Sequence, residues 1–445
     1  MSTTRPVRGA DGRALGFSEV LALGVNCVVG SGVFLLPGLV ADGAGPVSLL
    51  AVAAAGAVAC LIALCFAEAS SRFRVSGGAY TYARAAFGDA GGFFVGWVAM
   101  LAGLLAWAAI VNAFAVALAG LTPAASSAGA RTVAIGALLA VVGTLNVVGV
   151  RMGAGLSTAL TLIKALALGG FVIAGLFFLE PARFVPFAPH GWGAVGSGAL
   201  LMFYAFVGFE NLVVPAGEVR DPGRSLPRAI LIVMAGATVL YLCVQAVVAG
   251  TLVGFEGKEN AVAAAAGAFL GPAGGKLVAA AVVISVLGVN AASALILPRR
   301  ISALAEQGDL PEALARQHPR FATPYRAVVL AHLLVLVIAL SGSFRELVAL
   351  AVIARFLQYA PTCLGVLVLR RTDRDTPGET RRVHAPLRLP FGSLVPLLAL
   401  AASALLLASA EARHLVLGVS AVAVGVPVYA AMRRRRTRPG SDSLH

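Results

Sequence analysis

Long runs free of Asp, Glu, Lys and Arg recur along the chain: Val20 to Ala41 is 22 residues, Gly43 to Ala67 is 25, and Ala90 to Ala130 is 41. An α-helix rises about 1.5 Å per residue, so about 20 apolar residues cross the roughly 30 Å hydrocarbon layer of a bilayer. Apolar windows read against charged or Pro/Gly-rich breaks predict twelve spans, at 17–41, 46–70, 92–120, 131–150, 156–179, 195–217, 228–253, 273–305, 326–341, 345–369, 391–410 and 413–432. The connectors around 306–325 and 370–388 are polar, and neither is long enough to form a soluble domain.

Composition agrees. The chain is 59% hydrophobic and 12% charged, whereas a soluble domain is about a quarter charged. A net charge of +14 invites a nucleic-acid reading, but the cations sit in short loops instead of lining one face. They report topology: twelve spans put both termini on one side, and the loops on that side hold 26 Lys and Arg against 6 opposite, with Lys164 and Arg355 inside spans. Positive loops stay inside, so a plasma (inner) membrane protein with both termini cytoplasmic is expected. The run Arg433 to Arg436 reads as a stop-transfer and anionic-lipid anchor. Five cysteines, an odd number scattered through apolar windows, do not form a disulfide framework. Residues Met1 to Gly16 are polar and lead into the first span with no cleavage signature, so a removable signal peptide is not expected.

Candidate chemistry sits where helices are expected to break. In hydrocarbon no water replaces a lost backbone hydrogen bond, so breaks persist where the freed groups line a cavity. Two spans carry one: GlySerGlyValPheLeuLeuProGly, 30–38, in span 1, and 203–215 in span 6, where Gly208 is followed by the ionisable Glu210. Paired interruptions in the first span of each of two five-helix halves point to an inverted-repeat transporter with its site between them. The N–H groups opening the second half of span 1 suit a carboxylate. Unwound carbonyls of span 6 suit an ammonium, and a molecule carrying both at one carbon is an amino acid. For Gly30 and Gly32, close helix packing is the competing reading.

These segments, together with 65–88, 203–230 and 298–324, occur in order and resemble four signature regions of the amino acid/polyamine/organocation (APC) transporter superfamily. The resemblance covers the first ten spans and implies an all-α polytopic membrane protein of about twelve transmembrane helices. It further implies a leucine-transporter-type five-plus-five inverted repeat with two added helices, acting in secondary active transport of amino acids or related amines. Val75 departs from the pattern, which has a proline before SerGlyGly; only a local loop effect is expected. By this resemblance Gly30, Ser31 and Gly32 hold the substrate carboxylate, the backbone of Ala205, Phe206 and Gly208 holds the amino group, and Tyr204 closes over the substrate. For Tyr204 and Phe206 an ordinary core aromatic is the alternative.

Intramembrane ionisable residues are costly and are functional candidates by default. Glu210 either accepts a proton during the cycle or serves as a hydrogen-bond partner for the break. Lys164 in span 5 resembles the lysine that replaces a sodium ion between spans 1, 5 and 8 in proton-coupled members; snorkelling to the interface is the alternative. Arg355 falls near mid-membrane in span 10 and needs an anionic partner, either Glu210 or a substrate group. Asn290 and Ser285 in span 8 are weaker candidates for the site, and the lone His332 reads as a core residue.

The division expected is a cytoplasmic tail (1–16), a ten-helix core (17–369, with repeats at about 17–180 and 195–369), a connector (370–390), two added spans (391–432) and a basic tail (433–445). No His pair at ligand spacing and no Cys cluster exists for a membrane enzyme, so neither metal nor cofactor is expected. The basic and acidic signature of major facilitators is missing from 71–89, and a channel would repeat pore elements. The function expected is proton-coupled amino acid symport, with protons, a small amino acid or amine and the bilayer as partners and no nucleic acid. Exchange of the arginine/agmatine type is the alternative. Apolar surroundings (Val28, Val29, Phe34, Tyr204, Phe206) favour neutral substrates.

Overall fold

The computed structural model describes residues 15–73, 77–149, 154–252, 254, 260–375, 387–389 and 391–437. The outer parts of both tails, Val75 and most of the connector after span 10 lie outside these residues. Fourteen α-helices run through the rest: α1 (Phe17–Val28), α2 (Gly32–Ala44), α3 (Ser48–Ser71), α4 (Ala79–Ala119), α5 (Ala128–Val148), α6 (Ala154–Leu176), α7 (Ala194–Phe206), α8 (Pro222–Thr251), α9 (Ala261–Glu306), α10 (Tyr325–Ser341), α11 (Phe344–Asp375), α12 (Leu394–Ala408), α13 (Ala412–Ala423) and α14 (Gly425–Thr437). The described residues contain no strand, only one bridge that pairs Leu15 with Val219 and ties the start of span 1 to the loop after span 6.

Helix occupies every predicted window, and the boundaries that shift do so for local reasons. The helix of span 3 begins at Ala79, thirteen residues early, and bends at Gly88, whose φ of 75° falls where a side chain is strained. Span 8 is likewise preceded by a helical segment that starts at Ala261, capped by Asn260, and turns at Gly271 (φ 74°). Both extensions are apolar enough to continue a helix, and a single glycine re-aims each one. Span 6 departs most. Its helix stops at Phe206, and the rest of the window is two short 3-10 turns, Phe209–Asn211 and Ala216–Glu218.

Burial separates core from periphery. In the most apolar stretch of α4, 78% of the residues are buried, against 11% in the last span. α3 packs on α7 and α8, and α4 packs on α9 and α11, while α12 to α14 lie outside against α3, α4 and α11. Outward-facing residues such as Leu166, Ile173, Val337, Leu405 and Val416 form the apolar surface that hydrocarbon requires. One polar junction stands out in this core. Glu68, fully buried near the end of α3, receives Arg72 at 2.8 Å, both side-chain donors of Arg370 from α11, and the Leu389 backbone N–H at 3.0 Å. It joins the ends of spans 2 and 10 to the stretch leading into span 11.

Candidate functional site: two broken helices around a buried cavity

Span 1 breaks between Val28 and Gly32. Val29 leaves the helical region (ψ 84°), and α2 restarts at Gly32 with a fresh N-terminus. The first N–H groups of a helix have no intrahelical partner; here that turn lies deep in the protein, with Ser31 only 2% exposed. Span 6 breaks at Val207 and Gly208. A φ of 128° at Gly208, with a Cβ there only 2.1 Å from the Cys27 carbonyl oxygen, excludes any other residue. Gly32 faces the other strand of this crossing, where a Cβ would stand 2.8 Å from Ala205 Cα. The two breaks therefore touch, backbone to backbone.

Between them lies a cavity of about 190 Å³, below the roughly 300–1,000 Å³ of drug-sized sites and in keeping with a small ligand. Gly30, Ser31, Gly32, Tyr204, Ala205, Gly208 and Arg355 all line it. The structure brings these seven sequence candidates together. Phe206 does not reach the cavity; its ring packs on Tyr241 at 4.9 Å. The Tyr204 hydroxyl donates to the Ala106 carbonyl at 3.1 Å, which fixes its ring in the wall.

Lys164 and Glu210 stand behind the wall, each on one break. Lys164 Nζ donates to Asn26 Oδ1 at 2.9 Å and to the Val29 carbonyl at 3.0 Å. The side chain is 2% exposed and turned inward, which removes the snorkelling alternative. Glu210 Oε2 accepts the Gly208 N–H at 2.9 Å and the Tyr359 hydroxyl at 2.8 Å, and its Oε1 faces Arg355 Nη1 at 3.0 Å. Arg355 also donates to Gln358 Oε1 at 2.7 Å. The partner of Arg355 is thus Glu210, and the carboxylate pins the span 6 turn. A buried pair of this kind is weak evidence for stability, but its position fixes the backbone that borders the cavity.

Several participants escaped the sequence reading. Tyr241, midway along α8, places its hydroxyl 3.0 Å from both the Val28 and the Ala205 carbonyl oxygens, one from each broken span. A lone tyrosine in an apolar span was the available signal. Arg300, grouped by sequence with the cytoplasmic cations, lines the cavity, donating to the Ala99 carbonyl at 2.9 Å and Asn211 Oδ1 at 3.3 Å. Trp107 and Ser293 are further wall residues. Asn290 and Ser285 are absent from the wall: Asn290 instead accepts the Trp107 indole N–H at 3.2 Å and orients that ring. His332 packs edge-on against the same ring at 4.8 Å, as a core residue does.

Comparison with known proteins agrees with this architecture. Residues 15–424 match the amino acid permease family. The chain is 29% identical over 405 residues to a methylthioribose transporter of Bacillus subtilis, covering 87% of this chain and 86% of that one. It is 29% identical over 389 residues to a branched-chain amino acid permease of the same organism, covering 82% of each. An uncharacterized transporter of Mycobacterium tuberculosis is 30% identical over 449 residues, 96% of this chain and 94% of the relative. The family and these relatives are transporters and permeases, not enzymes. With two broken spans meeting at a small buried cavity, and a match that runs through both of them, this chain belongs to the amino acid permease family of the APC superfamily.

Proposed function

We propose that the protein carries neutral amino acids across the plasma membrane by proton-coupled symport and alternating access, with both termini cytoplasmic and the two five-span halves (about 17–180 and 195–369) forming an inverted repeat. The observation that carries the reading is the contact of Lys164 Nζ with the Val29 carbonyl, at the point where span 1 unwinds beside the cavity. The start of α2 offers N–H donors to the substrate carboxylate, and carbonyls around the span 6 break offer acceptors to its ammonium. In this reading Gly30, Ser31 and Gly32 take the carboxylate, the backbone of Ala205, Phe206 and Gly208 takes the ammonium, and Tyr204 closes over it. An ammonium on Lys164 ties span 5 to span 1; deprotonation removes its charge and loosens that tie. The coupling can be no larger than the difference in proton affinity between the two states. Glu210 and Arg355 keep the span 6 turn in register while this happens. A branched-chain amino acid permease and a methylthioribose transporter among the relatives support an uncharged cargo.

The test is uptake into proteoliposomes under an imposed pH gradient. Wild-type protein concentrates a neutral amino acid when the gradient is present and does so without sodium. Lys164→Ala loses this gradient-driven accumulation while still supporting exchange. Accumulation by Lys164→Ala, or a sodium requirement in the wild type, refutes the assignment. Full counterflow in the absence of any proton dependence identifies exchange, of the arginine/agmatine type, as the coupling mode instead.

A further inference from the structure

The cavity wall has an unusual charge content. Among the described residues that line it, two are arginines, Arg300 and Arg355, and none is Asp or Glu. The nearest carboxylate, Glu210, is behind the wall and already committed to Arg355, the Gly208 N–H and Tyr359. Arg300 has two neutral acceptors, the Ala99 carbonyl and Asn211 Oδ1. Lys164 likewise rests on neutral acceptors, Asn26 Oδ1 and the Val29 carbonyl. One carboxylate therefore faces three cations around a pocket of about 190 Å³. Arg355 is 5% exposed, and its Nε–H, at the edge of the cavity, has no hydrogen-bond partner. A buried donor in that position is left with a desolvation cost that an incoming acceptor removes.

We propose that Arg300 and Arg355 form a specificity wall that admits uncharged or acceptor-bearing side chains and rejects substrates with a side-chain cation, so that basic amino acids and polyamines are excluded. The inference rests on the transport reading above and sharpens it to a substrate class. A zwitterion brings no net charge, and its ammonium finds the carbonyls of the breaks. A second ammonium or guanidinium finds no carboxylate and two arginines. Two like unit charges about 6 Å apart at an effective dielectric of about 20 weaken binding by roughly a hundredfold. A side-chain carbonyl of the same shape instead meets the unused Arg355 Nε–H.

Isosteric competitors test this directly. Uptake of radiolabelled leucine into proteoliposomes is measured against citrulline and arginine, which differ in a carbonyl versus a charged guanidinium, and against norleucine and lysine. Wild-type protein should prefer the neutral member of each pair by about a hundredfold. Arg300→Gln should narrow that ratio by at least about tenfold, and Arg300→Lys, which keeps the charge, should preserve it. Arginine competing within about threefold of citrulline in the wild type, or a ratio unmoved by Arg300→Gln, overturns the inference and leaves amino acid transport standing. Should Arg300→Gln fail to fold, the wild-type ratios decide alone. Absence of uptake or competition for every amino acid by well-folded wild-type protein overturns the transport reading, and this inference with it.

Discussion

Replacing Gly32 by alanine isolates the close approach of the two broken spans. The added methyl stands 2.8 Å from Ala205 Cα and 3.0 Å from its Cβ, whereas carbon atoms rest at about 3.5–4.0 Å. The obstacle is backbone, so no rotamer change relieves it, and α2 and α7 must part by about 1 Å. Forcing extra volume into a packed interior costs about 1–3 kcal/mol, which lowers the population of the assembled site roughly five- to a hundredfold. Gly30→Ala is the stability control, because its nearest neighbour is the Val28 carbonyl oxygen at 4.0 Å; its effect on folding should stay within about 0.5 kcal/mol. The assay pairs thermal unfolding in detergent with leucine uptake in proteoliposomes. Gly32→Ala should lose stability and uptake together while remaining monodisperse. Wild-type behaviour of Gly32→Ala, or equal destabilisation by Gly30→Ala, refutes the argument that the breaks meet at Gly32.

Tyr241→Phe removes the hydroxyl between the two broken spans; leaving buried carbonyls unpaired should cost about 1–3 kcal/mol in unfolding experiments and weaken substrate affinity. Glu68→Gln leaves Arg72 and Arg370 without their carboxylate and should destabilise the protein by about 3 kcal/mol, read as a lower midpoint in detergent. Cysteine tags placed after Met1 and before His445 should resist impermeant reagents on intact cells and label only after permeabilisation, as the loop charge distribution requires.

The parts legible in the sequence were those governed by the solvent. Hydrocarbon demands long apolar helices, so the twelve windows followed from counting, and it tolerates a break only at a cavity, so Gly30 to Gly32 and Gly208 could be located. Boundaries were less visible at α4 and α9, where an apolar extension continues the helical pattern and one glycine turns it. Contacts between distant spans were beyond pattern altogether. Nothing in the neighbourhood of Tyr241 says that its hydroxyl meets two carbonyls, and Arg300 looks in sequence like one more loop cation beside Arg299. Its different role comes from the rotation of α9, which turns Arg299 outward and Arg300 toward Asn211. For Arg355 the sequence left two partners open, and only the packing of α11 against the span 6 turn selected Glu210.

The Tyr241 hydroxyl has one proton and two acceptors at equal distance, so at each instant one broken-helix carbonyl is bonded and the other is released. Exchanging them takes rotation about a single C–O bond, which belongs with picosecond to nanosecond side-chain motions, whereas moving a span takes microseconds to milliseconds. The lone pair offered to an arriving ammonium can therefore alternate between the two half-helices many thousands of times before either one shifts. The site thus adjusts its polarity to a ligand on the timescale of water reorientation and leaves the slow backbone motion to the transport step alone.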